Sequence, residues 1–530
     1  MNHAQRRLSQ LSGTLLIASP RMTWRTGRIK LSGLTLLGLL LAGCAAGPDF
    51  KKPDAPDISN LSRAPYTDTV SADHGKDAVA ASAAQKLDPA TFLSSTWWTS
   101  FDSAELDQLV REALTANPDL AATRATLTQA SENVLAARGA LFPIVSAGLD
   151  AQRQQTSGSD ARIYNTVGAS VDVSYNLDIA GGNRRALEAL QASAEAQRFE
   201  LEAAYQSLAG NVVNSAITAA AYREQIKATE DILTLQQSLL EILETQFEFG
   251  SISQAEVESQ RASIAATRAS LPPIQKSLAL THNQLAIYLG RFPSELSNTG
   301  FSLDNLKLPQ ALPISVPADI VRQRPDIRSA EATLHQAAAQ VGVAAADELP
   351  QLTLTGSYGR DGNSFADLFN PGTVVWNLAS SLTQRIFSGG IYRHQTKAAE
   401  AAFEAAGANY RSVVLSAFQD VADTLDALNF DAQTLKARVA AEQAADRSVT
   451  IAEEQYRAGG ASYSTLLEAQ KTLLSARVNR VEAQAARLAD TVALYQALGG
   501  GWWNREGATE DQPSTPDADQ PADTDTTPTP

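Results

Sequence analysis

The residue with the clearest chemical role is Cys44, the single cysteine of a 530-residue chain. It ends the segment Leu41-Ala42-Gly43-Cys44, which closes an apolar run that begins at Leu31 and follows several basic residues. A run of this length suits the apolar part of an export signal and is too short to span a bilayer. The segment is therefore predicted to be a cleaved export signal.

The segment Leu41-Ala42-Gly43-Cys44 resembles the processing box of bacterial lipoproteins, which implies that its small residues let a signal peptidase approach and that the Cys44 thiol receives a lipid. Ala45 and Ala46 follow the cysteine, with no Asp there, and the resemblance therefore implies sorting to the outer membrane. Removing residues 1–43 takes away six basic residues and leaves 37 basic against 58 acidic ones, a net charge of −21. This charge argues against nucleic acid as a partner, because a phosphate-binding surface needs a basic excess.

Little else in the sequence is arranged for catalysis. One cysteine excludes an internal disulfide framework and any zinc site that needs two thiolates. The five histidines have no HExxH-type spacing, and no Ser/His/Asp, paired-carboxylate or phosphate-loop arrangement occurs at useful spacing. We therefore expect a protein that is not an enzyme and that carries no metal or cofactor besides the lipid on Cys44.

An internal repeat organises the body of the chain. Asn117-Pro118-Asp119-Leu120 recurs as Arg324-Pro325-Asp326-Ile327, and Pro143 recurs as Pro350 at the same offset. The period is far longer than the 20–50 residues or so of a solenoid repeat. The sequence therefore predicts one structural unit written twice.

The two ends of the chain have the composition of tethers. Residues 45–95 are rich in Pro, Asp, Ala and Ser, and residues 507–530 carry six acids, five prolines and no base. Such segments bury too little apolar surface to fold. The predicted order is a signal peptide over 1–43, a lipidated linker over 44–95, repeats over 96–315 and 316–503, and a disordered acidic tail over 504–530.

Each repeat is predicted to fold as helix, strand, strand, long helix, turn and helix. The first helix runs from the N-cap Ser103 to Leu141 and stops at Pro143. Strict alternation of apolar and polar residues over 167–179 predicts a strand with one apolar face. Shorter alternating segments predict a strand before it and two more in the second repeat.

Long stretches without proline follow the strands. One runs from Gly182 to Gly250 and an equal one begins at Ile391, which at about 1.5 Å per residue reaches on the order of 100 Å. Return helices are predicted over 253–289 and 463–498. Pro272-Pro273 interrupts the pattern of the first of them, and we expect a kink or a change of packing there, because proline removes a helical hydrogen bond.

Four strands with one apolar face fit two architectures. On a soluble domain they would form a half-buried sheet, which is the commoner case. In a protein lipidated at the outer membrane they suit the wall of a barrel, but four strands are too few to close one. Two protomers would give eight strands around a filled lumen, whereas three would give twelve around an aqueous pore.

Five segments give the chain a family resemblance. They are the lipid-attachment box, Trp97-Trp98-Thr99-Ser100-Phe101, Asn117-Pro118-Asp119-Leu120, Arg324-Pro325-Asp326-Ile327-Arg328 and Phe387-Ser388-Gly389-Gly390. With the duplication, they resemble the outer-membrane factor (TolC-like) family over nearly all of residues 90–500, and more narrowly its NodT-type lipoproteins of RND multidrug efflux systems.

The resemblance implies an α+β membrane protein with an internal duplication. Its fold is expected to be a homotrimer with a twelve-stranded outer-membrane β-barrel, continuous with a long periplasmic α-helical coiled-coil tunnel. The implied partners are a periplasmic adaptor protein, an inner-membrane RND transporter and outer-membrane lipid.

The resemblance places the functional residues at two helix-turn-helix tips. These span Phe247 to Arg261 and Tyr456 to Gln470, and their turns contain Gly250 and Gly459. If the long helices point inward from the membrane, the tips form the periplasmic end of the pore. A ring of like residues there would set access and charge selectivity.

At the second tip the resemblance implies a constriction ring at Glu468. It also implies that Tyr456 and Glu256 take part in the bonds that hold the periplasmic gate closed. The chain departs from one family pattern, because Ala461 stands where that pattern has an arginine and Thr465 where it has a second acid. We therefore expect a gate held by fewer polar bonds.

Three functions compete. The favoured one is the outer-membrane channel component of a tripartite efflux system, a passive exit duct for drugs or other small molecules driven by an inner-membrane RND pump. The alternatives are a channel for type I protein secretion and a non-conducting, periplasm-spanning structural lipoprotein. The first accounts for the strands, long helices, duplication and lipid-attachment box together.

Overall fold

The computed structural model describes residues 45–56, 68–72, 81–158, 161–296, 301–314 and 317–505. The predicted signal peptide, the lipid-attachment residue Cys44 and the acidic tail beyond Arg505 lie outside these residues. The structure therefore tests none of the predictions made for them.

The described chain alternates helices and strands in the predicted order. The helices are α1 (Ala104–Ala116), α2 (Pro118–Arg138), α3 (Gly182–Glu248), α4 (Gln254–Tyr288), α5 (Pro317–Gln323), α6 (Pro325–Ala346), α7 (Ile391–Arg457) and α8 (Tyr463–Ala497). The strands are β1 (Lys86–Asp88), β2 (Ile144–Gln155), β3 (Ile163–Leu177), β4 (Ala311–Pro313), β5 (Gln351–Gly362) and β6 (Val374–Thr383). The four predicted strands and the long and return helices are confirmed, whereas the short strands β1 and β4 were not predicted.

The helix predicted from Ser103 to Leu141 is wrong, because two helices occupy this stretch. Ser103 is the N-cap of α1, and its hydroxyl accepts a hydrogen bond from the Leu106 amide at 3.4 Å. The chain leaves helical geometry at Asn117, with φ −65° and ψ 125°, because the residue before a proline avoids the α conformation. The Asn117 side chain then caps α2 by accepting from the Leu120 amide at 2.9 Å.

The helix α4 runs through Pro272 and Pro273, so these prolines do not end it, and the kink or change of packing expected there stays a prediction. Each proline deprives the carbonyl four residues earlier of its helical partner. Those carbonyls belong to Arg268 and Ala269, which are exposed, as are the prolines. Water can hydrogen-bond to the freed carbonyls, so the helix continues.

The long helices match in the two halves. α3 and α7 have 67 residues each, and α4 and α8 have 35 each. Gly181 and Gly390 precede the long helices with φ of +76° and +87°, a left-handed conformation that glycine adopts at little cost. At about 1.5 Å per residue each long helix extends roughly 100 Å.

The larger strands form one antiparallel sheet. Its order is β2-β3-β5-β6, so the strands of the second half continue the sheet begun by the first. In its register Asp172 lies opposite Ser357, and Tyr358 lies opposite Trp376. β1 and β4 form a separate parallel pair.

The helices bury two main apolar clusters. In the larger one the 3-10 turn Trp97–Phe101 and α1 pack against α3, α7 and α8, and Phe101, Leu106 and Val110 are fully buried. The smaller one lies near the α3–α4 and α7–α8 turns, around Leu243 and Leu466. Among the helices that the structure describes, none has the length and apolarity needed to cross a membrane.

Candidate functional site

The four-stranded sheet separates apolar from polar side chains. One face carries Val145, Leu149, Val171, Val173, Leu354, Tyr358, Trp376, Leu378 and Leu382, each at least 36% exposed. In the described part of the chain the 3-10 turn Phe365–Phe369 covers one end of this face, where Val167 is buried and Arg360 donates to the Leu368 carbonyl at 2.9 Å, and the side chains named above stay exposed. An exposed apolar surface of this size marks a site of membrane or protein contact, and the sheet is therefore unlike the half-buried sheet of a soluble domain.

The opposite face of the sheet is polar and acidic. By the register, Asp150, Asp172 and Asp361 all lie on this face. The arginines within these strands, Arg153 and Arg360, lie on the other face. The polar face therefore carries negative charge without basic residues from its own strands, and it attracts cations more than anions.

Two of these carboxylates approach each other across a glycine. Asp150 and Asp361 flank Gly168 in one row of the register. A Cβ atom at Gly168 would lie 2.7 Å from an Oδ1 oxygen of each aspartate. Because Gly168 has no side chain, the carboxylates of Asp150 and Asp361 can both occupy the space above β3 at this position.

The tip turns are built around left-handed glycines. Gly250 has φ +68° and Gly459 has φ +74°. The next amide along each turn closes the helix end, from Ser251 to the Gln246 carbonyl at 2.9 Å and from Gly460 to the Gln455 carbonyl at 2.8 Å. This six-to-one bond is typical of a helix terminated by glycine, so each long helix ends and reverses within a few residues.

Glu256 fixes the start of α4. Its Oε2 atom accepts a hydrogen bond from the Ser253 amide at 3.1 Å, while the Glu256 amide donates to the Ser253 carbonyl at 3.2 Å. The arrangement caps the helix after the turn. The structure thus gives Glu256 a role within its own hairpin, and its part in holding the gate closed stays a prediction.

Two tyrosines join one hairpin to the other. The Tyr456 hydroxyl donates to Gln246 Oε1 at 3.2 Å, and the Tyr463 hydroxyl donates to Gln260 Oε1 at 2.5 Å. The two rings meet edge to face, with centroids 6.4 Å apart. Burial, with smaller contributions from neighbouring groups, raises the pKa of Tyr463 to about 12, so this hydroxyl stays a donor at physiological pH.

The structure places the predicted tip residues in two environments. Burial and, to a smaller extent, the charge of Glu256 raise the pKa of Tyr456, which puts these two residues in the same neighbourhood. Glu468 lies on the exposed side of α8 with Thr465 and Thr472, at helical spacing. The tyrosine contact is therefore internal to the chain, whereas Glu468 is free to face a pore or a second chain.

The segment after the predicted lipid-attachment residue lies against the helices. We call residues 45–52 the strap. The Ala46 amide donates to the Ala180 carbonyl at 2.9 Å, and Arg185 Nε donates to the Ala46 carbonyl at 3.1 Å. Arg185 also pairs with Asp49 at 2.6 Å. These contacts hold the strap where β3 passes into α3.

Further along, the strap contacts α6. The Phe50 ring stacks on His335 with a centroid separation of 4.4 Å, and His335 Nε2 lies 2.9 Å from Glu188 Oε1. Lys52 pairs with Glu331 at 2.9 Å. The strap therefore bridges α3 and α6, which its composition alone did not indicate.

Arg324 has a structural role that the sequence analysis did not assign. Its guanidinium donates to Asp420 at 2.9 Å, to Asp326 at 2.7 Å and to the Ala497 carbonyl at 3.0 Å. The residue is only 8% exposed. Arg324 thus ties the start of α6 to α7 and to the end of α8.

The fold and the sheet define the class of protein. The family model described as outer membrane efflux protein matches residues 109–291 and 316–500. The chain belongs to the outer membrane efflux protein family. It is an outer-membrane efflux channel component, and the family consists of channel proteins.

Individual relatives agree with this assignment. The chain is 33% identical over 424 residues to the pyoverdine export outer membrane protein OpmQ of Pseudomonas putida, covering 77% of this chain and 88% of OpmQ. It is 30% identical over 499 residues to the toluene efflux pump outer membrane protein TtgC of Pseudomonas putida, covering 91% and 98% of the two chains. The solved outer-membrane channel OprN superposes with a TM-score of 0.77 at 28% identity, covering 87% of this chain and 100% of OprN.

A lipoprotein is also among the relatives. The chain is 27% identical to the probable outer membrane lipoprotein SilC of Salmonella typhimurium, covering 90% of this chain and 99% of SilC. The chain is therefore similar along most of its length to a protein whose name records lipid attachment.

Proposed function

We propose that the chain assembles as a homotrimer in which four strands from each protomer close a twelve-stranded β-barrel. The main support is the sheet, whose outer strands β2 and β6 each pair on one side only in the described residues. Open edges and an exposed apolar face both require a partner. Four strands cannot close a barrel, and twelve leave room for an aqueous pore.

The assembly acts as a passive exit duct for drugs or other small molecules. An inner-membrane RND transporter supplies the energy, and a periplasmic adaptor protein docks at the helix tips. The relatives named for pyoverdine export and toluene efflux support small molecules as the cargo. In this assembly the acidic face of the sheet lines the lumen, so neutral and cationic compounds pass more readily than anions.

The proposal extends to the ends of the chain. A lipid on Cys44 anchors the mature protein in the outer membrane, and no other cofactor is needed. The strap begins one residue later and lies against the β3–α3 junction, so it supports an anchor at the membrane end of the helices. The proposed segments remain a signal peptide over 1–43, a linker over 44–95, duplicated repeats over 96–315 and 316–503, and an acidic tail over 504–530.

The tips form the periplasmic gate in this proposal. Glu468 lines the constriction, and Tyr456 and Glu256 belong to the set of contacts that keep the tip closed around the turns at Gly250 and Gly459. The tyrosine–glutamine bonds between the hairpins support this placement. Ala461 stands where one family pattern has an arginine, and it offers no charged side chain. The tyrosine–glutamine bonds therefore contribute more to the stability of the closed state.

Replacing Glu468 with alanine is expected to raise single-channel conductance and lower cation preference, because a ring of negative charge is removed from the narrow end. The change in preference should be larger at about 0.1 M than at about 1 M salt, where screening shortens to roughly 3 Å. Planar-bilayer recordings of the purified full chain measure both quantities.

The matched control is Glu482→Ala. Glu482 is an exposed acid on the same helix, 14 residues farther from the turn. Currents unchanged by Glu468→Ala, or changed equally by both substitutions, would count against a constriction at Glu468.

The duct itself is tested by dye accumulation in a deletion strain. Deleting the gene should raise the accumulation of a fluorescent cationic dye, and restoring the wild-type gene should reverse it. Purified full-length protein should form a heat-modifiable trimer that conducts in planar bilayers. A trimer that conducts without affecting dye accumulation would redirect the proposal to protein secretion, and the absence of conductance would favour a structural lipoprotein.

A further inference from the structure

Two carboxylates from neighbouring helices lie against each other in the helical region. Asp490 on α8 lies within hydrogen-bonding reach of Asp431 on α7. The Oδ2 atom of Asp490 is buried and has no hydrogen-bond partner among the described groups. Two ionised carboxylates this close repel each other, and burial penalises the charge of Asp490. A proton shared between them removes one charge and gives the buried oxygen a partner.

A buried arginine lies near this pair. Arg487 precedes Asp490 by three residues on α8 and is fully buried. Among its acceptors are the carbonyls of Ala81 and Ala83, each at 2.7 Å, and Thr69 Oγ1 at 3.0 Å. The charge of Arg487 acts on Asp490 and favours an ionised carboxylate there, but burial and the charge of Asp431 outweigh it.

Two charged groups act on Asp490 in the described part of the chain. They are Asp431 from α7 and Arg487 from α8. The segment before β1 lies over α8 and contributes Gln85, whose Nε2 donates to Thr491 Oγ1 at 3.1 Å.

We propose that Asp431 and Asp490 form a proton-binding site that makes the contact between α7 and α8 sensitive to pH. With one proton the pair bridges the two helices by a hydrogen bond. Without it the two carboxylates repel each other and weaken the contact. The site uses none of the tip residues, so it is independent of the proposed gate.

The raised pKa of Asp490 determines how the stability of the folded chain changes with pH. Burial and then the charge of Asp431 raise the pKa of Asp490 to about 7, whereas an aspartate in the unfolded chain titrates near 3.9. Between about pH 4 and pH 7 the folded chain holds a proton that the unfolded chain releases. The stabilisation of the folded chain by this proton is therefore full below about pH 4, and it is lost as the pH rises through about 7.

The test is the melting temperature of the purified full chain in detergent between pH 5 and pH 8.5. A fixed guanidinium concentration brings the transition into range. Asp490→Asn imitates the protonated acid, so its melting temperature relative to the wild type should rise from pH 5 to about pH 7.5 and then level off. Asp431→Asn should flatten the same dependence, because it removes the neighbouring charge. Asp423→Asn, an exposed acid eight residues earlier on α7, should leave the wild-type profile unchanged.

Parallel pH profiles for the wild type, Asp490→Asn and Asp431→Asn would overturn the proposal. If Asp490→Asn does not fold, the comparison of Asp431→Asn with Asp423→Asn decides the question. Added Ca²⁺ at pH 8 should leave the wild-type melting temperature unchanged. A rise with Ca²⁺ in the wild type but not in Asp431→Asn would also overturn the proposal, since a metal ion and not a proton would then neutralise the pair.

Discussion

Replacing Leu378 with arginine is expected to abolish assembly in the outer membrane. Leu378 lies in the middle of β6 on the apolar face and is 79% exposed. An arginine facing lipid near the bilayer midplane costs about 2–4 kcal/mol, and a trimer would carry this cost three times. The heat-modifiable trimer and the amount of protein in the outer-membrane fraction should fall together.

The neighbouring residue supplies the control. Asn377 lies on the polar face, opposite Ser357, so Asn377→Arg adds the same charge to the lumen side. This variant should assemble normally and show a lower cation preference in bilayer recordings. Equal assembly of the two variants would mean that the apolar face does not meet lipid.

Replacing Arg324 with alanine is expected to lower the free energy of unfolding by about 3 kcal/mol. Breaking a buried charged pair costs about 3–5 kcal/mol, and the lower value applies because Asp326 and Asp420 stay partly exposed, at 43% and 54%. The Ala497 carbonyl also loses its donor. The midpoint of guanidinium unfolding of the purified chain measures the loss.

Arg322→Ala is the matched control, because Arg322 is an exposed arginine two residues earlier, in the last turn of α5. Its unfolding free energy should change by no more than about 0.5 kcal/mol. Arg324→Lys should fall between the two, since lysine keeps the charge but lacks the planar fork of donors. A similar loss in Arg322→Ala and Arg324→Ala would show that the contacts of Arg324 do not matter.

Elements that rest on local patterns could be predicted from the sequence. Alternation over 167–179 identified β3, whose last residue is Leu177, and the absence of proline identified both long helices. Proline positions predicted the helix ends less well, because the effect of a proline on a helix depends on the structure around it. Asn117-Pro118 ends one helix and caps another, whereas Pro272-Pro273 lies in an exposed stretch of α4, and the helix continues through it.

The contacts within the site could be predicted only in part. The tip glycines are local features, and the sequence shows where they fall. The bond between Tyr463 and Gln260 joins residues 203 positions apart, and the Arg487 contact with Ala81 spans 406 positions. The chain has many glutamines and arginines along its helices, and their sequence spacing does not distinguish the few that turn inward to meet a distant segment.

The equal lengths of the paired helices restrict how the protein can vary. With 67 residues in α3 and α7 and 35 in α4 and α8, both hairpins end at the same level. Seven residues added to each helix of one hairpin would push its tip about 10.5 Å beyond the other and separate the tyrosines from their glutamines. The same insertion in both hairpins would keep the tips level. Homologues adapted to a wider or narrower envelope should therefore carry insertions or deletions in matched sets of four.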